Sequence, residues 1–124
     1  MSEIELILLL FSKHFVVDFP LQVKYQWANK GTYGHLGGIL HAGLHGIGTF
    51  FCLIYFGIDI ALMGGYIDAL LHYHIDWAKM NINHYFDLNP SNSEKFWWLL
   101  GFDQYLHSLT YIGITTYIFS IYPF

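Results

Sequence analysis

The stretch LLHYHIDWAK, residues 70–79, places two histidines, an aspartate and a lysine inside an otherwise apolar run. His72 and Asp76 are four residues apart, and on an α-helix this spacing puts both side chains on one face, about 6 Å apart along the axis. Ionisable groups are costly in apolar surroundings and tend to face one another. The stretch therefore predicts a helix whose polar face meets partners from elsewhere in the chain.

The composition is that of a small membrane protein. Of the 124 residues, 55% are hydrophobic, 20% are aromatic and 11% are charged, with five lysines and no arginine. Soluble domains carry about a quarter charged residues, whereas membrane-spanning chains are depleted in them. The formal net charge of −4 gives no indication of a nucleic-acid surface. The single Cys52 excludes an internal disulfide and a thiolate metal site.

Four apolar segments predict four membrane-spanning helices. Most reach the roughly 20 residues that a helix needs to cross a bilayer. The acidic start MSEIE, with no small-residue cleavage site after it, indicates that the first segment is retained and is not a signal peptide. We expect an all-α, integral-membrane four-helix bundle of up-down-up-down topology, in which residues 1–124 form a single membrane domain with spans at about residues 4–19, 35–56, 58–80 and 95–122.

The connection before the fourth span has clear turn signals. Residues 81–94 are polar and predict a loop, with a turn at Asn89 and Pro90. Ser91 and Glu94 have the spacing of a capping box, in which each side chain satisfies the backbone of the other. The fourth helix is therefore expected to begin at this motif.

The lysines predict the orientation in the membrane. Residues 21–34 mix aromatic residues with lysines, as interfacial segments do. Lysines are enriched in cytoplasmic connections, so the two sides of the chain can be assigned from them. The first and third connections are expected on the cytoplasmic side, with both termini outside, from the positions of Lys24, Lys30, Lys79 and Lys95.

The spacing of His72 and Asp76 recurs once in each of the other three predicted spans. The pairs lie near the C-terminal ends of spans one and three and in the early turns of spans two and four. These ends are on one side of an up-down-up-down bundle, so all eight side chains are expected to meet in one layer near the cytoplasmic face. The pairs are His14 and Asp18, His41 and His45, His72 and Asp76, and Asp103 and His107.

Five imidazoles and three carboxylates are more ligands than one tetrahedral ion needs, so the layer predicts two divalent ions with positions left for water. Nitrogen and oxygen donors without sulfur indicate zinc, iron or manganese rather than Cu(I) or an iron–sulfur cluster, and zinc is the ion expected first. Two dications would exceed the charge of the three aspartates, and such a centre attracts an anionic substrate. For any single pair, the alternative is interhelical hydrogen bonding or a proton relay.

Other polar residues are not expected to bind metal. His74 points away from the face of the neighbouring pair, and His35 and His84 lie at loop edges. Asp68 lies one turn before the third pair and is expected to support the ligands or to pair with a neighbouring helix. Asp59 follows the tight turn between the second and third spans and is expected to be solvated.

The motifs resemble those of small membrane proteins of bacteria and phages known as domain of unknown function 3307. The resemblance covers nearly the whole chain and implies further site residues, namely Gln22, Lys30, Lys79 and Gln104; for Lys79, interfacial anchoring is the alternative. The spacing is also similar, more distantly, to that of membrane-bound metal-dependent hydrolases and zinc phospholipases C. The matching motifs are HFVVDFPLQ at 14–22, NK at 29–30, HAGLH at 41–45, HIDWAK at 74–79 and DQYLH at 103–107.

These observations together predict a membrane-embedded metal-dependent hydrolase. Its expected substrate is a phosphoester or related bond in a lipid-associated or small anionic molecule, and its expected partner is membrane lipid. Lys30 and Gln22 are expected to orient the head group. Two alternatives use the same residues: a di-iron oxidoreductase acting on lipid chains, and a non-enzymatic element for metal or proton transport.

Overall fold

The computed structural model describes residues 1–122 and has five α-helices within them. No β-strand occurs in this part of the chain, so the all-α prediction is confirmed. Four helices are long and one, in the first connection, is a single turn. The helices are α1 (Glu3–Asp18), α2 (Lys24–Trp27), α3 (Leu36–Leu53), α4 (Ile58–Tyr85) and α5 (Glu94–Ile121).

The four long helices form a closed bundle in which each neighbouring pair is antiparallel. α1 packs between α3 and α5, and α4 closes the ring on their other side. α3 and α4 approach each other closely at Gly46, where a Cβ would lie 2.7 Å from the backbone oxygen of Gly65. Gly57 makes the sharp connection between these two helices at φ 115°, a value that a side chain would strain.

Local signals set the first helix. Ser2 caps α1, and its hydroxyl accepts from the backbone N–H of Glu5 while the Glu5 carboxylate accepts from the Ser2 backbone at 2.7 Å. This is the capping box that the sequence S-E-I-E contains. α1 ends at Asp18, two residues before Pro20, because proline cannot continue the hydrogen-bond ladder.

Two expectations for residues 81–94 are wrong. α4 continues to Tyr85, and the Asn81 side chain supports the extension by donating to the carbonyl oxygens of Trp77 and Gly31 at 2.8 Å each. The helix α5 is capped by Ser93 without a side-chain bond, so the capping box with Ser91 does not form. The Ser91 hydroxyl instead donates to Asn89 Oδ1 at 3.0 Å, within the turn that the sequence predicts.

The bundle has an apolar half and a polar half. Its hydrophobic core lies at the end that holds the start of α1 and the end of α5, and it includes Leu6, Leu10, Leu53 and Ile118. The buried polar residues of the other half are mostly histidines and aspartates, together with Lys30. One helical segment of the described chain, Leu36–Phe56, is long and apolar enough to cross a membrane by length and composition, with a mean hydropathy of 1.6.

Candidate metal centre

The structure brings all eight predicted ligands into one layer. Each long helix contributes one pair, because positions four apart share a helix face that here points into the bundle. Seven of the eight residues are buried, and the side chain of His14 is 12% exposed. The layer comprises His14 and Asp18 on α1, His41 and His45 on α3, His72 and Asp76 on α4, and Asp103 and His107 on α5.

Asp18 lies at the centre of one part of the layer. Its Oδ1 atom is 2.9 Å from Nε2 of His45 and 3.1 Å from Nε2 of His41. Nε2 of His72 lies 3.4 Å from the same oxygen. The second oxygen, Oδ2, is 3.1 Å from Nε2 of His14. One carboxylate thus faces imidazoles from three different helices.

Asp76 connects the two parts of the layer. Its Oδ2 atom lies 3.2 Å from Nε2 of His72 and 3.3 Å from Nε2 of His41. Its Oδ1 atom lies 3.2 Å from Nε2 of His107, which is also 3.4 Å from Asp103 Oδ1. Asp76 therefore presents its two oxygens to two different sets of histidines.

The distances and donor atoms fit divalent metal ions. Ligands at 2.0–2.1 Å from a tetrahedral ion are about 3.3 Å apart, and the N–O distances of the layer are 2.9–3.4 Å. Nε2 of His41 and Nε2 of His72 are 3.2 Å apart, and an ion between them would satisfy both lone pairs. Asp76 Oδ2 and Asp103 Oδ1 are buried, and within residues 1–122 their contacts are the ion pairs with Lys30 and the histidines rather than well-aligned hydrogen bonds. Three overlapping groups could each hold an ion: His14, Asp18, His45 and His72; His41, His72 and Asp76; Asp76, Asp103 and His107.

The four residues implied by the family resemblance also contact this layer. Lys30 Nζ donates to Gln22 Oε1 at 2.9 Å and lies 3.2 Å from Asp76 Oδ2. Lys79 Nζ is 3.4 Å from Asp103 Oδ2, which places the lysine at the edge of the centre. The Gln104 amide donates to Asp103 Oδ2 at 3.0 Å and to Asp18 Oδ2 at 3.3 Å. Their contacts place these side chains at the site, and their catalytic roles stay predictions.

A second polar layer lies on the far side of the histidine rings and was missed from the sequence. Tyr111 Oη is 2.8 Å from His14 Nδ1, and Lys13 Nζ is 3.4 Å from His45 Nδ1. Because an ammonium group only donates, the Lys13 contact favours the tautomer in which His45 carries its hydrogen on Nε2 and donates to Asp18. Metal ligation by His45 therefore requires Lys13 to leave this contact. The sequence signal for this second layer was Lys13, a charged residue inside the first apolar run.

The residues expected outside the centre lie outside it. His74 Nε2 is 3.1 Å from Tyr33 Oη, and its Nδ1 is 2.7 Å from the carbonyl oxygen of Leu70. His35 caps α3 by accepting from the Gly37 N–H, and His84 and Asp59 are exposed. Asp68 pairs with Lys13 of α1, which was one of its two expected roles.

The fold and the site define a class: small helical bundles with one buried layer of histidine and aspartate. Residues 6–122 match the model of the family described as "Protein of unknown function (DUF3307)", so the chain belongs to that family. The resemblance seen in the motifs is thereby confirmed over nearly the whole chain. No curated protein and no solved structure matches the chain significantly.

Proposed function

We propose that this protein is a membrane-embedded, metal-dependent hydrolase that cleaves a phosphoester or related bond of a lipid-associated substrate. The observation that carries the proposal is the convergence of imidazole nitrogens and carboxylate oxygens from all four long helices into one buried layer. Buried charged groups are costly unless they pair or bind an ion. A metal centre explains why the chain concentrates so many of them at one level.

The surface of the bundle supports a membrane location. Exposed side chains along the middle of the long helices are mostly apolar, for example Phe15, Ile47, Leu62 and Ile112. Water is a poor solvent for an apolar surface of this extent, whereas lipid fits it. Exposed charged side chains lie at the two ends of the bundle: Glu3, Glu5 and Asp59 at one end, and Lys24, Asp87, Glu94 and Lys95 at the other. We propose that the lysine-bearing end, where the predicted ligands lie, faces the cytoplasm, since lysines are enriched in cytoplasmic connections.

The donor set suits two divalent ions, with zinc ahead of iron or manganese. The ligands are nitrogen and oxygen atoms, and Cys52 lies in the apolar core rather than in the layer. The positive charge of two such ions would exceed the negative charge of the three aspartates of the layer. The ammonium groups of Lys30 and Lys79 add positive charge, since they lie beside Asp76 and Asp103. A positive centre of this kind favours an anionic substrate.

The proposed reaction is the hydrolysis of a phosphoester. A water oxygen forms a bond to phosphorus, the bond from phosphorus to the lipid-borne oxygen breaks, and the proton that water loses ends on the leaving oxygen. When bound, divalent ions polarise a phosphoryl oxygen and lower the pKa of water. Lys30, held by Gln22, orients the anionic head group, and an aspartate or histidine of the layer moves the proton.

The experiment that tests the proposal has two stages. Elemental analysis of protein purified in detergent without added metal should find up to two ions per chain, with zinc as the expected element. The metal-loaded protein should then release phosphate or phosphoalcohol from vesicle lipids, and the His72→Ala variant should not. Protein without metal above background would overturn the metal centre. Two irons with dioxygen consumption and no phosphoester cleavage would favour the di-iron oxidoreductase.

A further inference from the structure

An apolar groove follows the outside of the bundle between α4 and α5 and reaches the metal centre. The part beside the apolar half of the bundle is called here the deeper groove. It has a volume of about 440 Å³ and is lined mainly by apolar residues, among them Leu71, Leu109 and Gly113. The adjoining part, about 270 Å³, shares Leu71, passes Lys79 and Asp103, and continues to Ile82 and Leu99. The groove therefore joins the apolar half of the bundle to the layer of ligands.

The charged residues in its lining distinguish this groove from the grooves on the other side of α4. Lys79 Nζ lies 3.4 Å from Asp103 Oδ2, and Asp103 Oδ1 lies 3.4 Å from Nε2 of His107 in the layer. The groove between α3 and α4 ends at His74 and Tyr33 and has none of the eight ligands in its lining. An apolar channel with an ammonium group and one predicted metal ligand in its lining suits an acyl chain attached to an anionic head group.

We infer that this groove holds one acyl chain of an anionic membrane phospholipid, whose head group reaches the metal centre past Lys79 and Asp103. The inference rests on the proposed function for the chemistry at the head group, but not for the binding of the chain. The groove faces lipid in the proposed orientation, so the substrate reaches the site sideways from the bilayer. Its chain then extends from the cytoplasmic layer towards the middle of the membrane.

Gly113 offers a direct way to close the groove. A Cβ at this position would meet no atom within 4 Å, so a larger side chain can fill the groove without disturbing the helices. Gly101 lies on the same helix, also has free space around a Cβ, and does not line the groove. The Gly113→Leu and Gly101→Leu variants therefore make a matched pair with the same change in helix propensity.

The test is photo-crosslinking of the intact chain in vesicles of phosphatidylethanolamine and phosphatidylglycerol. The probe is a phosphatidylglycerol with a diazirine at the end of one acyl chain, and a phosphatidylcholine with the same chain is its neutral counterpart. Mass spectrometry should find the anionic probe concentrated on the facing sides of α4 and α5 in the deeper groove. The neutral probe should label this face no more than other faces.

Gly113→Leu should lose the enrichment, whereas Gly101→Leu should keep it. Even labelling of all lipid-facing helices in the unmodified protein would overturn the inference, and so would equal enrichment of both probes; neither result depends on how a variant folds. Labelling requires neither metal nor hydrolysis. Groove enrichment in a protein that binds no metal would overturn the proposed function alone, and hydrolysis with even labelling would overturn the acyl-chain site alone.

Discussion

The Nζ atom of Lys13 on α1 lies 2.6 Å from Oδ2 of Asp68 on α4, and the two side chains are only 7% and 1% exposed. The hydroxyl of Thr49 on α3 donates to the same oxygen at 2.5 Å, and Tyr111 Oη on α5 is 3.1 Å from Lys13 Nζ. Residues from all four long helices therefore meet at this pair. It lies one helical turn from His72, on the side of the apolar half of the bundle. The Lys13–Asp68 pair supports the adjacent layer of predicted ligands, because Lys13 also contacts His45.

Breaking this pair on one side should destabilise the bundle strongly. Lys13→Met leaves the Asp68 carboxylate buried with Thr49 as its remaining donor, and removal of one partner from a buried ion pair costs about 3–5 kcal/mol. Lys13→Met combined with Asp68→Leu should recover most of this loss, because no unpaired charge remains. The free energy of unfolding in detergent, measured for both single variants and the double variant, checks this. Additive losses would show that the two residues do not stabilise the fold as a pair.

Metal binding should depend on the helix face and not on histidine content. His72→Ala removes a nitrogen that lies within 3.4 Å of both Asp18 and Asp76, so metal affinity should fall by at least about 100-fold, the upper range for loss of a supporting residue. His74→Ala, two residues along the same helix, should leave it unchanged. Metal titration of the two purified variants measures this. Equal losses of metal affinity would contradict the assignment of His72, and not His74, to the ligand-bearing face of α4.

The sequence predicted most of the fold because its signals are local. Apolar runs and i, i+4 pairs depend on helix periodicity, so the four long helices and the inward faces of His14 and His107 could be found without coordinates. The end of α4 could not, because Asn81 supports it through a bond to Gly31, fifty residues away in the chain. Ser91 failed as a cap because the nearby Asn89 side chain binds it instead.

The supporting layer of the site was less accessible to sequence reasoning. Lys13 binds Asp68 across 55 residues, and that pairing exists only once α1 and α4 lie in the same bundle. In the sequence, Tyr111 cannot be distinguished from an aromatic residue that faces lipid. In the structure it is 1% exposed and contacts His14. Residues whose roles come from contacts between helices therefore needed the structure, whereas ligand pairs on single helices did not.

Lys30 should be required for turnover but not for metal binding. Its Nζ atom lies beside Asp76, and a protonated lysine cannot ligate a metal. Lys30→Ala should lower kcat for a phosphoester lipid by about 100-fold, as loss of a charge-stabilising donor does, with metal content intact. Lys24→Ala is the matched control, since Lys24 lies in the same connection and is exposed. Loss of metal together with activity in Lys30→Ala would assign this lysine to the assembly of the centre.

The pH dependence of turnover should report the water at the centre. Water on a divalent ion such as zinc ionises near neutral pH, so the hydrolytic rate should rise as pH increases through roughly 7 and then level off. The Lys30→Ala variant should show a lower rate with its midpoint shifted to higher pH, because loss of the ammonium charge beside Asp76 makes water at the centre less acidic. Initial rates at fixed metal occupancy across the pH range measure this. A rate that does not change with pH would argue against hydrolysis by an ionised water.

The orientation in the membrane can be tested at the two ends of the bundle. Glu3 lies at the start of α1 and Asn92 in the connection before α5, and both are exposed. Glu3→Cys and Asn92→Cys, each made with Cys52→Ser, should react with an impermeant thiol reagent from opposite sides of the membrane, because the proposed topology puts an odd number of spans between them. Glu3 is chosen in preference to its neighbour Ser2, because a change of Ser2 would remove the hydroxyl that caps α1. Labelling of Glu3→Cys from outside intact cells and of Asn92→Cys only after permeabilisation is expected, and labelling of both from one side would contradict the four-span topology.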